Sequence, residues 1–192
     1  MERLRHVKPS IELKEQGIDY INEHLLCNSE INGSGSLHKY LDNYEEWLIK
    51  LEKDRNCIPN EERVPAETYY LLNESNRIIG MINIRLVLNE RLRKCGGHIG
   101  YGIRPSERQK GYNKINLYLG LLRCQELGIE EVILDCDAIN LGSSRTMEAL
   151  GGIRIDEYYS EEEQSLIWRY QINVNNAINS HKEIYEPKIL RK

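Results

Sequence analysis

The stretch Tyr101–Tyr112, YGIRPSERQKGY, decides the fold. It joins a β-rich segment, His98–Arg104 (HIGYGIR), to a helix-periodic one, Gly111–Leu127. Pro105 lacks a backbone donor and stops the strand. The polar residues after it turn, and a helix starts near Gly111. Such a loop directs several backbone N–H groups toward one point. Those free groups and the positive end of the helix dipole make an anion site. Gly111 permits close backbone approach, and Arg108 and Lys110 add charge. A pyrophosphate is the natural occupant. An ordinary strand–helix connection with basic surface residues is the other reading of the same residues. The pattern G-x-x-x-x-G-K-[ST] is absent, so this is not a P-loop. Gly97, Gly100 and Gly102 lie within the strand, not at its turn into the helix, so it is not a dinucleotide fingerprint either.

On both sides of this turn the elements alternate. Upstream, Glu67–Leu72 (ETYYLL) and Ile78–Val87 (IIGMINIRLV) are strand-like, and the turn residues Asn73–Asn76 make them a hairpin. A charged loop, LNERLRKCGG, leads to the strand at His98. Downstream, Glu131–Cys136 is a short buried strand, and Asn140–Leu150 is a helix ended by Gly151-Gly152. Ile153–Tyr159 and Leu166–Val174 are two last strands around an acidic turn. Before the hairpin, residues 2–8 predict a short strand, and Pro9-Ser10 opens a helix to about Leu26 with Ser10 as its N-cap. Leu37, Tyr40, Leu41, Tyr44, Trp47, Leu48 and Leu51 fall on one helical stripe, which favours core packing over a binding face. Residues 54–65 connect, and 175–192 read as a polar tail. This order predicts an α/β fold, a mixed sheet with helices on both faces.

Composition narrows the classes. The chain has 192 residues, enough for one domain with its own core. It is 40% hydrophobic and 29% charged, as a globular protein is. No run approaches the length of a membrane span, and MERLRHVKPS has no apolar core of a secretory signal. A net charge of -4 lacks the basic footprint of a nucleic-acid binder. The five cysteines show neither C-x-x-C nor zinc spacing, which points to reduced thiols in the cytoplasm and to no metal.

The central turn resembles the acetyl-CoA signature of the GNAT family of N-acetyltransferases, Arg/Gln-x-x-Gly-x-Gly/Ala. It appears here as Arg108-Gln109-Lys110-Gly111-Tyr112-Asn113. Asn140-Leu-Gly-Ser143 is similar to the family's N-x-x-[AS] element. VPAETYYLL, GMINIR, GGHIGYGIRPSER and Gly151-Gly152 resemble one subgroup of bacterial members. The resemblance covers most of the chain, least clearly the N-terminal helices and the tail. It implies a mostly antiparallel sheet with splayed central strands, in one domain over 1–174 whose cofactor-binding core is 67–172. It implies direct, metal-free transfer of an acetyl group from acetyl-CoA to a primary amine, with no covalent enzyme intermediate. Two positions depart from the family. Asn113 stands where Gly or Ala is usual, and Met147 where many members place a tyrosine that protonates the leaving thiolate.

The cofactor residues so implied are Arg104, Arg108, Gln109, Lys110, Gly111, Tyr112 and Asn113. The backbone of Tyr101 and Ile103 would lie along the pantetheine arm, with Asn140 and Ser143 on its far side. His98 is the candidate base, because imidazole titrates in the right range; a structural histidine is the other reading. Glu90 and Glu107 compete for that role. Arg85 and Asn89 are candidate substrate contacts, or loop packing. Asp156, Glu157 and Glu161–Glu163 form an acidic run that attracts a cationic amine, or a solvated turn. The acceptor is a small-molecule or peptide amine, and the C-terminal strand and tail are candidates for a homodimer contact. A non-catalytic module that keeps the fold and binds CoA is the rival reading, supported by Asn113 and Met147. Transfer of another acyl group, or to a protein amine, is a second, and a nucleotide-binding enzyme a third.

Overall fold

The computed structural model describes residues 2–190. A short strand, β1 (Arg5–Val7), is followed by α1 (Lys14–Leu26) and α2 (Tyr44–Arg55). The hairpin is β2 (Ala66–Leu72) and β3 (Ile78–Arg85). A short helix, α3 (Glu90–Lys94), precedes β4 (Ile99–Ile103). Then come α4 (Tyr112–Glu126), β5 (Glu131–Asp137) and α5 (Leu141–Glu148). The chain ends with β6 (Ile153–Ser160), β7 (Ser165–Asn173) and α6 (Val174–Tyr185).

The strands form two antiparallel sheets, β1-β2-β3-β4 and β5-β7-β6. Alternation along β2 shows why helices cover both faces. Tyr69 and Leu71 enter one core, with α4, α5 and α6; Tyr70 and Leu72 enter the other, with Tyr20, Ile21, Tyr44 and Trp47 of α1 and α2. The expected fold class is borne out, including the splay between its central strands.

Several local expectations are revised. Ser10 makes no side-chain cap, and a single 3-10 turn, Ile11–Leu13, precedes α1. The stripe from Leu37 is not one helix. Leu37–Lys39 is an isolated turn entered by Ser36 at φ 68°, and α2 starts afresh where Asn43 accepts from the Glu46 N–H. Its apolar residues nevertheless meet in one core. The charged loop holds α3, whose cap is Asn89. Residues after 173 do not trail: Val174, Ala177, Ile178 and Tyr185 of α6 are buried in the larger core. The polar composition hid an amphipathic helix. No helix among the described residues is long and apolar enough to cross a membrane.

Candidate active site

The two sheets touch at one fork. Gly97 bridges Leu134, the His98 N–H donates to the Ile133 carbonyl at 2.7 Å, and the Ile133 N–H donates to His98 Nδ1 at 3.0 Å. Beyond this point β4 and β5 part, and no ladder joins them among the described residues. His98 ends the pairing by supplying a side-chain acceptor where the next backbone acceptor would be. Its Nδ1 lone pair is thereby occupied. Burial, then the charges of Arg85 and Arg93, hold its pKa down at about 4. The ring is a neutral clamp at the apex of the fork.

Past the fork one edge of β4 is open. His98 C=O and Arg104 N–H bond to Arg85 and Ile79 of β3. Antiparallel alternation therefore turns the backbone groups of Ile99, Tyr101 and Ile103 toward the gap. The Tyr101 side chain spans that gap, its hydroxyl 2.9 Å from Ser143 Oγ on α5. Burial raises its pKa, partly offset by Ser143. Asn140 caps α5 by accepting from the Ser143 N–H at 3.1 Å. Met147, one turn beyond Ser143, is fully buried in the core.

The open edge leads into the central turn. Gln109 (φ 62°) and Gly111 (φ 78°) are left-handed, and Gly111 precedes α4 without a side-chain cap. The first N–H groups of a 15-residue helix thus point out of the turn. The first turn of α4 also holds Asn113, whose Oδ1 is buried without a hydrogen-bond partner, while its Nδ2 lies 3.4 Å from Thr146 Oγ1. Arg108 donates to the Ile103 carbonyl at 3.2 Å and to Ser29 Oγ at 2.6 Å. Lys110 is paired with Glu107 at 2.8 Å and remains half exposed. A charged turn with free N–H groups, a glycine at the helix entry and an unsatisfied amide fits an anionic, extended ligand.

Three sequence candidates stand apart from this edge. Arg104 is 1% exposed and bonds to the Ile78 carbonyl, Asp19 and Glu23, binding the turn to α1. Arg85 clamps the Gly96 and Gly97 carbonyls at 3.0 and 2.8 Å, and burial lowers its pKa. Asn89 caps α3 and holds the Asn60 and Glu61 carbonyls. All three side chains are used by the fold.

Sequence reasoning missed a second cluster beside the fork. Asp135 takes two bonds from Arg169, at 2.9 and 2.8 Å, one from the Tyr158 hydroxyl at 2.9 Å and one from the Gly96 N–H at 2.7 Å. Arg169 also donates to the Arg93 and Lys94 carbonyls, which ties α3 to the second sheet. Nearby, burial and then Glu30, Asp137, Glu162 and Asp135 raise the pKa of Glu163. Charge from the α1–α2 loop, β5 and the β6–β7 turn thus makes one negative field at Glu163. Only Glu162 and Glu163 of it were visible as a run in sequence.

The comparisons with known proteins agree with this fold. The model of the GNAT acetyltransferase domain matches residues 18–153. No curated protein sequence matches the chain. Among solved structures, a chimera of spermidine N-acetyltransferase SpeG from Vibrio cholerae and hSSAT is similar, with TM-score 0.66 and 14% identity over 92% of this chain and 99% of that one. The acetyltransferase MccE, solved with acetyl-CoA and AMP, gives TM-score 0.66 and 12% identity over 90% and 93%. Ribosomal-protein-S5-alanine acetyltransferase from Vibrio fischeri gives 0.62 and 12% over 90% and 92%. At these identities the structures speak for the fold, while the domain match spans well over half of the chain: this protein belongs to the GNAT acetyltransferase family.

Proposed function

We propose that the protein is an N-acetyltransferase that moves an acetyl group from acetyl-CoA directly to a primary amine in the cytoplasm. The observation that carries this reading is the open edge of β4 running into an uncapped helix start. The backbone of Tyr101 and Ile103 would hold the pantetheine arm, with Asn140 and Ser143 opposite. The turn Arg108–Asn113, through its N–H groups and the charges of Arg108 and Lys110, would hold the phosphates. Acetyl-CoA supplies the activated acetyl thioester. The chain's own part is to align the arm, keep a negative field at the mouth and accept the proton of the amine. Arg104, His98, Arg85 and Asn89 serve the fold in this account.

The negative region around Glu163 supports a cationic acceptor. An ammonium group near Glu30, Asp137 and Glu163 gains favourable charge interactions from three elements at once. The SpeG neighbour is by its name a spermidine acetyltransferase, in keeping with this choice. The test is to incubate the protein with acetyl-CoA and a panel of amines led by spermidine, and to find acetylated product by mass spectrometry. Acetylation of cationic amines, with Glu163→Gln raising KM, is expected. CoA binding with no product over the whole panel would establish the non-catalytic alternative.

A further inference from the structure

Two polar side chains on α1 have no place in this account. Tyr20 and His24 are one helical turn apart, both 0% exposed, with ring centroids 4.6 Å apart. Tyr20 Oη and His24 Nε2 are both buried without a hydrogen-bond partner among the described residues. A buried polar group without a partner is disfavoured, and two side by side call for an explanation. His24 Nδ1 lies 2.9 Å from the Glu30 carbonyl oxygen, which can only accept. Nδ1 therefore carries the proton, and Nε2 is a bare lone pair. This is the reverse of His98, whose lone pair is taken.

Tyr20 of the pair lies against the face of β4. A Cβ built on Gly102 of β4 would be 3.1 Å from Tyr20 Oη and 2.9 Å from the Asn32 carbonyl. Gly102 adjoins Tyr101, whose backbone faces the open gap. The loop between α1 and α2 covers the pair. It is bounded by left-handed Asn28 and Ser36 and joined to the central turn by Ser29 and Arg108.

We propose that His24, with the Tyr20 hydroxyl beside it, takes the proton from the acceptor amine, which reaches it when the Ser29–Gly35 loop that buries both groups lifts from β4. An ammonium N–H bond breaks, its electron pair stays on nitrogen, and the proton forms a new bond to Nε2. The imidazolium then returns the proton to solvent. The charged and titratable groups facing His24 are Glu23 and Tyr20 of α1 and Arg104 and Arg108 of the central turn. Burial first, with Arg108 and Arg104, lowers its pKa, against the Glu30 carbonyl and Glu23. The ring is thus in its basic form at neutral pH.

This inference rests on the acyl-transfer reading, and its test separates the two. The full chain, labelled with 15N-histidine and loaded with CoA, is titrated with spermidine and followed by long-range proton–nitrogen spectra. The expected result is His24 protonated on Nδ1 only, with a saturable shift of Nε2. His24→Asn keeps an N–H for the Glu30 carbonyl and removes the second nitrogen. Acetyl transfer to spermidine should fall about 100-fold, and the acid limb of kcat/KM, expected below pH 6.5, should vanish, while acetyl-CoA affinity holds. A proton on Nε2, a resonance that spermidine leaves unmoved, or an unchanged pH profile in His24→Asn overturns the proposal. Failure of the wild type to bind acetyl-CoA would remove the acyl-transfer reading itself.

Discussion

Gly33 and Gly128 share a backbone angle, φ 74°, in opposite surroundings. A Cβ on Gly128 meets nothing within 4 Å. One on Gly33 would fall 2.7 Å from the Gly100 carbonyl, 2.8 Å from the Met81 carbonyl and 2.8 Å from the Tyr101 Cα. Those neighbours are all backbone and cannot swing away. Alanine at 128 bears the left-handed strain alone, about 1–2 kcal/mol. Alanine at 33 bears that strain plus forced displacement of the loop from β4, a further ~1–3 kcal/mol. Urea denaturation of both variants reads the difference directly. Gly33→Ala should lower the midpoint by about 1 M or more and Gly128→Ala by about half of that, with the same slope. Equal midpoints would show that the α1–α2 loop is not seated on the glycine face of β4.

Acid should weaken the protein in a window set by histidine. Burial lowers the pKa of both His6 and His98 from 6.5 to about 4, that of His6 against its bond to Asn116. The unfolded chain takes up these protons first, so the stability is whole above pH 6.5 and lost as pH falls to 4. His6 accounts for about 3 kcal/mol of this and His98, partly open to solvent, for less, and His98→Gln should flatten the urea-measured curve over that range. Asp135→Asn removes the charge opposite Arg169 and should cost about 3–5 kcal/mol by the same measurement. A cost below 1 kcal/mol would mean that Arg169 finds another partner.

How far the sequence could be read depends on the range of the interaction. The hairpin, the Pro105 stop and the helix entry at Gly111 are set by neighbours in the chain, and they lie where the pattern put them. Ser10 looked like a cap, but a cap is a matter of local angle, and the chain turned in 3-10 form first. Arg104 and Arg108 were alike on paper. Only the packing of α1 on the turn brings Asp19 and Glu23 to Arg104, 85 and 81 residues away, and leaves Arg108 on the loop. The Asp135–Arg169 pair likewise depends on the register of β5 against β7. His24 gave no signal in sequence. Its free lone pair follows from the Glu30 carbonyl, which only the folded loop supplies.

The account turns on the loop that would hold the cofactor phosphates. The most direct measurement is calorimetric titration of the protein with acetyl-CoA, beside a variant carrying Arg108→Ala and Lys110→Ala. Binding by the wild type, weakened at least ~10-fold in the variant (about 1.4 kcal/mol), is the predicted result. Equal affinity in both proteins, or no binding by the wild type, would contradict it.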